Sequence, residues 1–93
     1  MAPEKAAGEE LSMRLRRLRY RAWHRGTREM DLILGPFADA RLEAMSEAEL
    51  DRFEALLDEM DTDLFDWLMG TVPAPPEADH QLLAELLAFK TAS

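Results

Sequence analysis

The sequence contains no cysteine, which excludes disulfides and thiolate metal ligands and fits a reducing compartment. No apolar run approaches the ~20 residues that a membrane-spanning helix needs. The opening stretch "MAPEKAAGEELSM" has three glutamates before its first arginine, which is untypical of signal and transit peptides. We therefore expect a soluble intracellular protein.

Residues that carry catalysis are also scarce. The only two histidines, His24 and His80, lie far apart, and neither has a partner at the i, i+4 spacing of a helical metal pair. There is no Gly-rich phosphate loop, and no spacing singles out a pair of carboxylates for acid–base work. We predict that the chain is not an enzyme, holds no metal and binds no cofactor stably.

Beta-branched residues are few, whereas Leu, Ala, Glu, Arg and Met dominate and favour helices. We predict an all-α fold, a compact five-helix bundle in one domain over residues 10–91, preceded by a disordered N-terminus over residues 1–9. The predicted helices are Glu10–His24, Thr27–Ala44, one that follows Ser46, a short one in "DLFDWLMG", and Pro76–Lys90.

Local signals support several of these helix ends. Ser46 and Glu49 have the spacing of a capping box, and Gly70 is a natural left-handed stop. Asp61, Thr62 or Asp63 is expected to cap the fourth helix. The pair Gly35-Pro36 is expected to kink the second helix, because proline lacks the backbone N–H.

The net charge of −8 conceals an uneven distribution. From residue 29 onward the chain holds sixteen acidic residues and only three basic ones. Seven of the eleven basic residues lie upstream, with no acid among them, at positions Arg14, Arg16, Arg17, Arg19, Arg21, Arg25 and Arg28. Either the first helix packs its charge against the acidic remainder, or it steers an acidic partner surface.

The stretch "HRGTREMDLIL" allows two interpretations. Gly26 can end the first helix at positive φ, with Glu29 favoured by the dipole of the next helix. Alternatively, Gly26 lets another backbone approach closely, while Arg25 and Glu29 flank it with opposite charges as a recognition patch left open to a partner. In "DLFDWLMG", Phe65 and Trp67 cannot point the same way, so we expect one near the surface or both partly buried.

The stretch "YRAWHRGTREMDLILGPFA" resembles the signature of the small succinate dehydrogenase assembly factors, also called flavinylation factors. Their R-G-x-x-E motif is matched by Arg25, Gly26 and Glu29, and "DLFDWLMG" resembles the family's second block. The flanking positions that also match are Tyr20, Arg21, Met30, Asp31 and Phe37. The resemblance covers roughly residues 14 to 90.

The resemblance implies a five-helix protein of the bacterial cytoplasm without catalytic activity of its own. Such factors bind the flavoprotein subunit of succinate dehydrogenase, and in some bacteria that of fumarate reductase. They promote covalent attachment of FAD to a histidine of that subunit, so FAD ends on the partner. Arg25, Gly26 and Glu29 are then expected at the centre of the contact surface. The expected partner-binding set also includes Arg21, Arg28, Asp31 and Trp67.

Several alternatives remain open at this point. Glu29 can act by pairing with a partner cation, which we favour, or by adjusting protonation near the flavin. An antitoxin-like or regulatory protein would use the Arg-rich helix on nucleic acid or another protein, although the net charge disfavours nucleic acid. A FAD carrier and a self-associating bundle are further alternatives. We expect a monomer with no membrane partner.

Overall fold

The computed structural model describes the backbone of residues 3–92 and the side chains of residues 10–92. All regular structure within that part is helical, and no described helix is long and apolar enough to cross a membrane. The elements are α1 (Pro3–Trp23), α2 (Arg28–Arg41), a 3₁₀ turn (Leu42–Ala44), α3 (Glu47–Leu57), α4 (Asp61–Met69) and α5 (His80–Ala92). The predicted all-α, five-helix fold is confirmed.

Two helix ends follow directly from local sequence. The Ser46 hydroxyl accepts a hydrogen bond from the Glu49 N–H at 3.2 Å, and the Glu49 carboxylate accepts one from the Ser46 N–H at 2.8 Å. This is the predicted capping box, which satisfies two donors that α3 cannot satisfy itself. Gly70 ends α4 at φ +79°, as predicted for a left-handed stop.

Other predicted ends were wrong by several residues. α1 begins at Pro3 instead of Glu10, and the α-helical part of α2 ends at Arg41, where the chain tightens into the 3₁₀ turn. α5 begins at His80 rather than Pro76. The predicted disorder of residues 1–9 stays a prediction, because residues 1, 2 and 93 and the side chains of residues 3–9 lie outside the described part.

The predicted cap of α4 was also wrong. Met60 occupies the N-cap position without a side-chain hydrogen bond, and Asp61 is already the first helical residue. The Asp61 carboxylate is turned away from the amides of its own helix and accepts a hydrogen bond from Arg25. A tertiary contact has therefore replaced the local cap that the sequence suggested.

The core lies where the four longer helices face one another. α1 packs mainly against α2 and also against α3, while α5 packs against α2 and α4. Phe37 is at its centre, with ring centroids 5.9 Å from Phe53 and 5.6 Å from Phe89. Among the described side chains every residue of the buried core is apolar, so hydrophobic burial is the main stabilising term.

The closest approach between α1 and α2 is at Gly35. Its Cα lies under the indole of Trp23, and a Cβ built there would lie 2.6 Å from Trp23 Cε3 and closer still to Cδ2 and Cε2. The indole Nε1 donates a hydrogen bond to Asp39 at 3.2 Å, which fixes the ring across the interface. Gly35 is therefore required for packing, a role different from the predicted kink, and α2 continues through Pro36.

Asp79 determines where α5 begins. Its carboxylate accepts the Leu82 N–H at 3.0 Å and both guanidinium hydrogen bonds of Arg52, at 2.7 and 2.8 Å. The Arg52 guanidinium above all, and then the Leu82 N–H, hold the pKa of Asp79 below its ordinary value of 3.8. One carboxylate thus caps α5 and joins it to α3.

This arrangement predicts a pH-dependent effect of Asp79→Asn. A carboxyl whose pKa is lowered by folding stabilises the protein above its unfolded-state pKa, and this stabilisation is lost as pH falls through the folded-state pKa. We expect the variant to unfold about 4–8 °C below the wild type at pH 7. The difference is expected to shrink below pH ~3.8.

Thermal unfolding followed by circular dichroism between pH 2.5 and 7 measures this difference. The matched control is Asp63→Asn, which removes an exposed carboxylate without a hydrogen bond or ion pair to another described residue. A gap between Asp79→Asn and the wild type that stays constant over the whole range would contradict the assigned role of Asp79.

Candidate functional site

The corner between α1 and α2, residues 24–27, carries the glycine that the sequence singled out. Gly26 has φ +100°, in the region that favours glycine, and a Cβ there would meet nothing within 4 Å. Thr27 is the N-cap of α2 and accepts the Met30 N–H at 3.4 Å. Gly26 is therefore needed for its backbone conformation, and the space over it is open.

Arg25 is turned inward, in contrast to the predicted open patch. Its side chain is 10% exposed, and its Nε donates to Asp61 Oδ1 at 2.7 Å. The two terminal nitrogens donate to the carbonyls of Leu57 at 2.5 Å and Glu59 at 2.7 Å. The predicted pair of opposite charges flanking Gly26 is therefore not formed, because the Arg25 guanidinium is occupied within the chain.

The physical reason lies at the end of α3. The last carbonyls of a helix have no intrahelical donor and form the negative end of its dipole. Arg25 supplies both N–H donors and positive charge there, and it also pairs with Asp61 in the first turn of α4. One side chain thus joins the α1–α2 corner to the α3–α4 turn.

Asp31 completes the corner from the other side. Its carboxylate accepts the backbone N–H of Arg25 at 2.6 Å, and its own N–H donates to the Thr27 carbonyl at 3.1 Å. Asp31 is half-buried, so its main contact is within the corner. The backbone of the corner is therefore held from α2 while the Arg25 side chain is held from α3 and α4.

Glu29 points outward. It lies in the first turn of α2, is exposed, and has no hydrogen bond or ion pair with another residue of the described part. Its position in the first turn is favourable for an anion because of the helix dipole. Of the two charged motif residues, only Glu29 is thus available to a partner.

Glu29 forms one edge of a groove between the first turns of α2 and α4, with a volume of about 430 Å³. The residues that line this groove are Thr27, Glu29, Met30, Asp61, Thr62, Phe65 and Asp66. The sequence reasoning missed the α4 contribution as part of the site. Only tertiary packing brings α4 beside the motif, so no local signal indicates it.

The remaining predicted site residues lie apart from this groove. Arg21 is paired with Asp58 at 2.7 Å, while Arg28 is exposed and has no ion pair within residues 10–92. Trp67 is half-buried and lines a separate cleft of about 150 Å³ near Asp79. Phe65 is also half-buried, so the interpretation in which both aromatics are partly buried is confirmed.

The arginines of α1 are largely paired with acids of the other helices. Arg17 donates to Glu54 at 2.9 Å, and this contact above all lowers the pKa of Glu54. The paired arginines of α1 and their partners are Arg14 with Asp51 and Glu54, Arg17 with Glu54, Arg19 with Asp39 and Glu43, and Arg21 with Asp58. The basic helix therefore neutralises the acidic body, which supports the packing interpretation.

These features define a class: a small all-α protein with a rigid, glycine-containing corner and an acidic groove beside it. The protein family described as the flavinator of succinate dehydrogenase matches residues 16–90, and the chain belongs to this family. It is 40% identical over 81 residues to the FAD assembly factor SdhE of Acetobacter pasteurianus, covering 87% of this chain and 74% of that protein.

Two mitochondrial relatives are similar as well, both called succinate dehydrogenase assembly factor 2. The protein of Mycosarcoma maydis is 40% identical over 82 residues, which cover 85% of this chain and 34% of that protein. The protein of Saccharomyces cerevisiae is 38% identical over 93 residues, which cover 96% of this chain and 57% of that protein. This chain thus spans about a third to somewhat over half of these fungal relatives.

Proposed function

We propose that this chain is an assembly factor that binds the flavoprotein subunit of succinate dehydrogenase and promotes covalent attachment of FAD to it. The observation that carries the proposal is membership of the flavinator family over residues 16–90, with the motif inside the matched part. The fumarate reductase flavoprotein is a further proposed client. The proposal places the factor in the bacterial cytoplasm, as a monomer, by analogy with its bacterial relative.

In this proposal the chain acts by positioning and has no enzymatic activity of its own. A binder stabilises one conformation of its client only through higher affinity for that conformation. The corner is suited to this because Arg25 and Asp31 fix its backbone from two sides. A rigid surface that favours the arrangement in which flavin and acceptor side chain are aligned lowers the barrier to bond formation.

FAD remains with the client throughout. The groove beside Glu29 is lined by three carboxylates and no basic side chain, which disfavours the pyrophosphate of a dinucleotide. Titration of the purified chain with free FAD is expected to give no saturable binding. The nucleic-acid alternative is also disfavoured, because four α1 arginines are engaged with acids of the same chain.

The direct test is to co-express the chain with the flavoprotein subunit, capture the complex, and measure covalent flavin by its fluorescence in a denaturing gel. Covalent flavin that increases with the chain present supports the proposal. A flavoprotein that neither binds the chain nor gains flavin in its presence would contradict it.

Glu29→Gln is the most informative variant for this function. It preserves shape and removes the charge of an exposed side chain, so the thermal midpoint is expected to shift by less than about 4 °C. Covalent flavinylation is expected to fall about tenfold or more, because a partner cation would lose its counterion. The control is Glu47→Gln, an exposed first-turn carboxylate of α3. Equal flavinylation by the two variants would remove Glu29 from the site.

A further inference from the structure

The groove beside Glu29 combines an apolar floor with a charged edge. Met30 is 1% exposed and forms part of the floor, and Phe65 is half-buried against the core. Thr27 and Thr62 line the ends nearest the two helix starts. Apolar surface left accessible between two packed helices favours an occupant with aliphatic or aromatic groups.

Every ionisable side chain that lines the groove is a carboxylate. Asp61 is paired with Arg25, and Asp66 Oδ1 accepts the Thr71 hydroxyl at 3.2 Å. Glu29 has no hydrogen bond or ion pair within residues 10–92. The positive ends of α2 and α4 meet here and are offset by Glu29 and Asp61, whereas Asp66 lies beyond the first turn of α4, where the dipole effect fades.

These properties select the chemistry of the occupant. An anion would face three carboxylates, and a purely apolar segment would desolvate Glu29 and Asp66 without compensation. A side chain with a long apolar stem and a cationic head satisfies both requirements. Its head would also lie near the ring of Phe65, where a cation–π contact is favourable.

We propose that the groove receives an arginine or lysine side chain of the flavoprotein client, with its stem on Met30 and Phe65 and its charged head between Glu29 and Asp66. This inference rests on the proposed function and names the chemistry of the contact. It also gives Glu29 a defined task, which is to pair with that cation. Asp66 joins the site as a second carboxylate that the motif does not contain.

The test is a titration of the full chain with the purified flavoprotein subunit at low and high salt, by isothermal calorimetry. Glu29→Gln and Asp66→Asn are each expected to weaken the complex about tenfold at low salt. The dissociation constants are expected to converge with that of the wild type as salt rises, because the lost interaction is ionic. Thr62→Lys places a cation of the chain itself in the groove and is expected to weaken binding most.

The matched control is Asp63→Asn, which changes the same charge on the same helix outside the groove and is expected to bind as the wild type does. Affinity and salt dependence unchanged in both Glu29→Gln and Asp66→Asn would overturn the inference. Loss of affinity in Phe65→Ala but in neither charge variant would assign the groove to an apolar segment and also overturn it.

Two further outcomes identify other failures. Self-association of the isolated chain that Thr62→Lys abolishes, measured by sedimentation, would assign the groove to a second copy and contradict the inference. Circular dichroism of each variant verifies that it is folded before titration. A wild-type chain that does not bind the flavoprotein at all would contradict the proposed function itself, which separates the two failures.

Discussion

Arg25→Ala is expected to lower the free energy of unfolding of the isolated chain by about 2–4 kcal/mol, which corresponds to roughly 10–20 °C in thermal midpoint. The variant leaves the carbonyls of Leu57 and Glu59 without their donor and the half-buried Asp61 without its counterion. It also releases the corner from the α3–α4 turn. The measurement is chemical or thermal unfolding without any client, so a contact made only in the complex cannot produce this effect.

The matched control for Arg25 is Arg21→Ala. Arg21 also joins α1 to an acid of α3, but its ion pair with Asp58 is solvent-exposed, with side chains 31% and 69% exposed. Such a pair contributes about 0–1 kcal/mol. Arg25→Lys is expected to lie between the two, because an ammonium group cannot supply three fixed donors to three acceptors. Equal stability of Arg25→Ala and Arg21→Ala would show that Arg25 is not a structural link.

Gly35→Ala is expected to destabilise the protein by about 1–3 kcal/mol, against the usual direction of the substitution. In a helix interior alanine is normally about 0.5–1 kcal/mol better than glycine. Here the added methyl would overlap the indole of Trp23, which is held by α1 and by its hydrogen bond to Asp39. Either the indole or the α1–α2 spacing must shift.

A double-mutant cycle with Trp23→Leu isolates this steric cost. In the Trp23→Leu background the indole is absent, so Gly35→Ala is expected to be neutral or slightly stabilising. Unfolding free energies of the four proteins, measured by denaturant titration, give the coupling between the positions. Additive effects of the two substitutions would mean that the ring and the glycine do not restrict one another.

Residues that act within one helical turn were predicted well. The capping box of Ser46 and Glu49 and the stop at Gly70 need only a side chain and backbone groups a few positions away, so the sequence specifies them. The predicted ends of the second and fifth helices failed for a related reason. Several local signals compete there, and the observed start of α5 is decided by Asp79, which a distant arginine also fixes.

The candidate site was predicted in part. The motif led to Arg25, Gly26 and Glu29, and the structure places Gly26 at positive φ with Glu29 exposed beside it. The direction of Arg25 was not predictable, because its acceptors lie 32 to 36 residues further along the chain. Phe65 and Asp66 were missed as parts of a groove for the same reason.

The sequence by itself determined the helical class, the caps at Ser46 and Gly70 and the motif that marks the family, because these depend on neighbouring residues and on composition. The tertiary structure alone decided that Arg25 is a link between helices, that Glu29 stands free, and that Gly35 receives an indole. Each of these depends on which helix faces which. That choice is made by burial of the whole apolar core and leaves no local pattern at the positions it brings together.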